Sequence, residues 1–265
     1  NMIGKFKQGQ RIILMVALVM MVAVGVFALN TGQEQTTEPT EVFYYVGSKV
    51  WMETYDQEGQ AQRKDLAEEQ LWVGENEIAE FSYPRVTYLN AGKNQLILVD
   101  LKKRIYVSTM LPLKLENIYT EKKLSELQKE KLTGKVKKLR QTREVLGRKC
   151  KGYIFKAQTQ KADGSIEKSN TTVWAATNVP FDLKIYYQFL ENQRIVYNRD
   201  KKLRKQLKKI KGVQLLLEFP QVQNEKKVKY ISEVVEISKK APPYPTIEAL
   251  IKAEGLKKVE KFGEE

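Results

Sequence analysis

The chain has 265 residues, 42% hydrophobic and 9% aromatic, with a formal charge of +14, a composition that supports a packed core and excludes a wholly disordered chain. It contains no histidine and one cysteine, which excludes Ser-His-Asp and Cys-His catalysis, histidine-based zinc sites, an internal disulfide and clusters held by several thiolates. No GxxxxGK[ST], GxGxxG or GxSxG motif occurs, so neither an enzyme of the common nucleotide or hydrolase classes nor a bound metal or cofactor is expected.

Residues 2–11 carry Lys5, Lys7 and Arg11 with no acid, and an unbroken apolar run of 18 residues follows from Ile12 to Leu29. That is the pattern of a secretory signal peptide, with Ala28 two residues after Val26 as a cleavage position; its length also reaches the short end of what spans a bilayer, so residues 1–29 read as a signal or an anchor. Residues 30–41 are polar and read as a disordered linker, leaving 42–265 as one folded domain. No cysteine stands directly after the apolar run, the only one being Cys150, so lipid modification at the start is not expected. The domain is therefore expected outside the cytoplasm, in the periplasm or cell envelope.

Within the domain, "EVFYYVG" and "KVWMETY" read as a hairpin about Gly47-Ser48, and residues 61–72 as a helix with Leu66, Ala67 and Leu71 on its apolar side. "QLILVDL" and "RIYVSTM" flank Lys102-Lys103 as a second hairpin. Residues 121–131 form a helix with Leu124 and Leu127 on one side. The stretch from Val145 to Ala157 places Cys150 between Lys149 and Lys151. Strand alternation puts Leu146, Cys150 and Ile154 on one face and Lys149, Lys151 and Tyr153 on the other, which makes the thiol buried packing and not a nucleophile.

"TTVWAAT" is the next strand and contains Trp174. In "FDLKIYYQFL" the odd positions Phe181, Leu183, Ile185, Tyr187 and Phe189 are all apolar, which predicts a strand whose face, with Trp174, is either ordinary core or the wall of a hydrophobic ligand cavity. Residues 199–211 predict an amphipathic helix with Leu203, Leu207 and Ile210 on its packing side. "VQLLLEF" and "KVKYISEVVEI" close the domain as strands. At least eight strands with short connections make an antiparallel sheet, and the few helices make the class α+β.

"VFYYVGSKVWMETY", "QLILVDLKKRIYVS", "EVLGRKCKGYIFKA", "TTVWAATNVPFDL" and "APPYPTIEALIKAEGLKKV", in that order, resemble exported bacterial domains of unknown function grouped with the outer-membrane lipoprotein-sorting (LolA/LolB-like) fold. The resemblance implies a strongly curved antiparallel sheet, an incomplete β-barrel closed on its open side by helices. It also implies an apolar cavity for a lipid, the acyl chain of a lipoprotein or another hydrophobic ligand.

The 199–211 segment holds Arg199, Lys201, Lys202, Arg204, Lys205, Lys208, Lys209 and Lys211 against Asp200 alone. An exported protein rarely meets nucleic acid, so Arg199 to Lys209 read as a surface for anionic membrane, or else as a solvated face of a packed helix. Three functions follow. The first is a non-enzymatic envelope protein that binds a hydrophobic ligand; the second is an interaction or structural module with a self-filled core and a protein partner in the envelope. The third is a carboxylate-based hydrolase acting on envelope material, although acids such as Asp182 and Glu191 have no telling spacing.

Overall fold

A computed structural model describes residues 42–264 apart from 57, 129–130, 162, 198–199 and 224–225. The expected signal or anchor segment and linker, residues 1–41, lie outside the described residues. Among the described residues no helix is long and apolar enough to cross a membrane.

The chain opens with six strands, β1 (Tyr44–Tyr55), β2 (Ala61–Val73), β3 (Glu77–Ser82), β4 (Arg85–Asn90), β5 (Gln95–Asp100) and β6 (Ile105–Met110). A 3-10 turn (Leu115–Asn117) and helix α1 (Glu121–Gln128) lead into β7 (Lys131–Val145), β8 (Arg148–Gln160) and β9 (Ile166–Ala176). Helices α2 (Leu183–Tyr197) and α3 (Lys201–Leu207) precede β10 (Val213–Gln223) and β11 (Lys226–Lys239), and α4 (Ile247–Ala253) and β12 (Lys257–Lys258) end the fold.

All strands belong to one curved, open sheet in the order β12-β6-β5-β4-β3-β2-β1-β11-β10-β9-β8-β7. Sequential neighbours pair antiparallel within β1–β6 and within β7–β11, and the two runs join where β1 pairs with β11, Tyr44 opposite Lys239 through Thr54 opposite Val228. Only the short β12 runs parallel to its neighbour, β6. The class is α+β, as the alternation predicts.

Each face of the sheet carries its own core. The front face gathers Val46, Leu71, Val73, Ile78, Leu89, Leu96, Leu98, Cys150, Leu216 and Ile231, and α2 lies on it. The back face is covered at one end by α3, whose Leu203 and Leu207 join Ile210 against Val136, Tyr153, Phe155, Val173 and Leu217. At the other end α4 covers it, with Ile247 and Leu250 against Val86, Tyr88, Ile97 and Val99. Burying both faces fixes register, because a slip of one residue would exchange the two cores.

Four local expectations change. Gly47-Ser48 is not a turn: β1 continues through it with a bulge against β11. Gly47 suits that bulge because a Cβ there would lie 2.5 Å from the Tyr45 hydroxyl. Residues 61–72 form the strand β2, not a helix, paired on both sides to β1 and β3. Leu146 does not share the face of Cys150; it sits with Gly147 in a two-residue hairpin turn, both at positive φ, and is 45% exposed.

The fourth is "FDLKIYYQFL", which is helical from Leu183 onward. Asp182 Oδ1 accepts from the Lys184 N–H at 2.8 Å, capping the first turn. The buried stripe is then Ile185, Tyr186, Phe189 and Leu190, the i, i+1, i+4, i+5 set of one helix face. Burying such large side chains contributes about 1.5–3 kcal/mol each, which outweighs the β-propensity of the tyrosines and isoleucine.

Candidate functional site

The six residues expected to wall a ligand cavity meet at the front of the sheet, on α2 and beside it. Phe181, Ile185 and Phe189 are buried in the front core, Leu183 and Tyr187 pack at its margin, and the Tyr187 hydroxyl accepts from the Gly212 N–H at 2.7 Å. Trp174 lies over Gly152, where a Cβ would stand 2.8 Å from the indole, and its Nε1–H donates to Glu218 at 3.1 Å. Lys229 also donates to Glu218, at 2.6 Å, and Arg143 approaches it at 3.5 Å. Burial pushes the Glu218 carboxyl up, but the bonds from Lys229 and Trp174 outweigh it and hold the group below the ordinary carboxylate range. These aromatic and aliphatic side chains pack in or against the front core.

Beneath α2 lies a polar cluster that periodicity alone does not announce. Glu69 on β2 and Glu80 on β3 are both buried on the front face. Glu80 accepts a hydrogen bond from Gln193 on α2. Burial raises the Glu80 carboxyl to about 7 against the pull of Gln193, and burial with the nearby Glu80 charge raises Glu69 well above its ordinary value. Among the described residues Glu69 Oε2 and Gln214 Oε1 are buried without hydrogen-bond partners. Arg194, also buried, makes no ion pair among the described residues, and burial lowers its pKa. Two acids that share a low-dielectric site both favour their protonated forms.

The acids named from sequence do other work. Asp182 caps α2, and Glu191 pairs with Lys208 at 2.6 Å. Cys150 is fully buried with its Sγ–H directed at the Arg148 carbonyl 3.5 Å away, while Lys149 and Lys151 are exposed; burial raises its pKa. Among the described residues no group of three or more Cys, Asp or Glu is placed to hold a metal ion.

On the back face the cross-strand register sets Trp72, Ala79 and Tyr88 in one row, with Phe81 opposite Val86 beside it. The segment 242–250 passes over this row without closing it. Between them is a shallow cleft, open on one side, that encloses about 30 Å³ and is lined by Phe43, Trp72, Phe81, Tyr88, Tyr244 and Ile247 among others. Phe81 and Tyr244 stack at 6.5 Å, and Trp72 meets Tyr45 at 4.8 Å. Glu77 at the rim accepts from Asn90 at 2.6 Å. Among the described residues the Trp72 indole N–H is buried with no acceptor. The lining is mostly aromatic and aliphatic, and the enclosed space is that of about one water molecule.

Of the predicted basic residues, Lys201, Lys202, Lys205, Lys208 and Lys209 are exposed on or just after α3, Arg204 is half-buried, and Arg199 lies outside the described residues. Asp200 caps the helix through the Lys202 and Leu203 N–H groups. Leu203 and Leu207 are buried as the helical spacing predicts, so packing and charge occupy opposite sides of one helix.

Fold and site together define an α+β domain with an open twelve-stranded sheet, a front core under α2, an aromatic-lined cleft behind and a basic helix at one end. Compared with known proteins, the chain matches no family model and no curated protein.

Proposed function

We propose that this is a non-enzymatic protein of the cell envelope that holds a hydrophobic ligand, the acyl chain of a lipid or lipoprotein, in the aromatic cleft between β2–β4 and the 242–250 segment. The observation that carries the reading is the lining of the cleft, which is aromatic and aliphatic over most of its wall and suits contact with an acyl chain. The resemblance to the lipoprotein-sorting fold supports the same ligand class, with the half-barrel's front face occupied by α2 and the ligand on the back. The leader-like segment at residues 2–29 supports an extracytoplasmic site, and the lysines of α3 turn toward anionic membrane.

The test is mass spectrometry of an organic extract of the protein made through the export route, with titration of a lipophilic dye. Co-purifying acyl lipid, and dye binding abolished by Ala79→Trp in the cleft floor, are expected. A lipid-free extract with no dye binding, or dye binding indifferent to Ala79→Trp, overturns it.

A second reading draws on the front core under α2: an interaction module that recruits an envelope protein. It predicts capture of one defined partner that survives Ala79→Trp.

A further inference from the structure

We infer that the edge strand β7 and helix α3 together form one cationic docking face, and that its partner is the headgroup surface of an anionic phospholipid bilayer, met by the sheet edge-on. The inference deepens the membrane-facing role given to α3 above, by adding a second element that no amphipathic pattern reveals.

β7 ends the sheet, so one side of it has no neighbouring strand. It carries Lys131, Lys135, Lys137, Lys138, Arg140 and Arg143 against Glu144 alone. All six cations are exposed. Val136 lies opposite Phe155 in the back core, so Lys135 and Lys137 project from the front and Lys138 from the back. Helix α3 packs on the back of the same strand, through Leu203 and Leu207 beside Val136 and through the Val136 N–H to Gln206 Oε1 at 3.4 Å. The lysines of α3 thus extend the charge of β7 around the end of the sheet.

Two further observations point to a ligand. Lys135 faces Lys156 directly across the ladder; like charges there are destabilising, and no acid pairs with either among the described residues. Arg143 and Lys208, by contrast, have Glu218 and Glu191. A retained repulsion on an exposed edge is relieved by an external anion. The kind of anion follows from the residue types: the face is mainly lysine, a hydrated point charge, with few arginines, and neither β7 nor α3 contains an aromatic residue. The aromatic stacking platforms that hold single-stranded nucleic acid are missing from these two elements. A diffuse layer of phosphates needs none.

The experiment is co-sedimentation of the full chain with vesicles of phosphatidylcholine alone or with about a third phosphatidylglycerol. The apolar run at residues 12–29 partitions into both, so the difference between the two isolates headgroup charge. Preference for the anionic vesicles that weakens with salt is expected, and each basic residue removed should lower it about fivefold. The triple variant Lys135→Gln, Lys137→Gln, Lys138→Gln should therefore lose roughly a hundredfold.

Lys135→Glu guards against misfolding. It places an acid opposite Lys156, so thermal stability should hold or rise while vesicle affinity falls. Equal binding to neutral vesicles, full binding by the β7 variants, or a soluble polyanion such as DNA competing as strongly as vesicles at equal charge overturns the inference. A lipid-free extract in the cleft experiment would leave this result untouched, and failure here would leave the cleft reading standing.

Discussion

Replacing Glu80 by glutamine should stabilise the protein by an amount that grows as pH rises from about 4.5 through 7 and then levels off. Wild-type Glu80 is buried with its carboxyl raised to about 7 from an ordinary 4.5. A group raised in the folded state contributes its full stability below the unfolded value and loses it as pH rises through the folded one. The window therefore runs from about pH 4.5 to somewhat above 7, and a separation of this size amounts to about 3 kcal/mol lost by pH 9. Glutamine keeps the shape and can accept the bond from Gln193 but cannot ionise. Urea denaturation midpoints at intervals from pH 5 to 9 are the assay. The two proteins should coincide to within about 1 kcal/mol at pH 5 and separate by about 3 kcal/mol at pH 9, with glutamine ahead. Glu69, raised in the same direction, steepens the wild-type slope further and leaves a residual slope in the variant. Parallel curves across the range would refute the burial of an ionisable acid under α2.

Glu218→Gln should cost about 1–3 kcal/mol in chemical denaturation, because Lys229 and Arg143 lose their acid on a half-buried face. The wild-type contribution of this depressed carboxylate should fade as pH falls below its ordinary range, the reverse of Glu80. Cys150 should resist a thiol reagent in the native protein and react at once in denaturant; fast native labelling would contradict its burial. Gly212→Ala should destabilise by more than about 2 kcal/mol by thermal melting, since the position has φ +100° and a Cβ would lie 2.4 Å from the Ala176 carbonyl oxygen.

Much of this architecture is legible in the chain, and the failures have physical causes. The strands β5, β6, β9 and β11 stand where apolar runs and turn residues predict them, and α3 follows from Leu203 and Leu207 one helical turn apart. β2 escapes because Glu69 occupies the buried row with Ala67, Leu71 and Val73, so a period of two reads as broken where the fold spends a buried acid. α2 escapes because its broad apolar face supplies hydrophobic residues at odd positions as well as at helical ones; Asp182 as a cap was the available signal. The aromatic cleft draws Phe43, Trp72, Phe81, Tyr88 and Tyr244 from separate segments, and only the register of β2–β4 reveals that they meet. The cations of β7 fall at odd and even positions alike, which in sequence looks like a solvated strand.

The meeting of β1 with β11 has a consequence for assembly. Every other antiparallel ladder forms between strands adjacent in the chain, so each half can zip up locally, whereas this seam unites segments from nearly opposite ends of the folded part. The last stretch then crosses back as a strap: α4 sits on the first half, Lys257 pairs with Ile105, and the Phe262 ring meets Tyr119 at a tilt. A molecule cleaved in the stretch between β6 and β7 would therefore yield two complementary pieces with matching edges and a clasp, suited to reconstitution from separately produced halves.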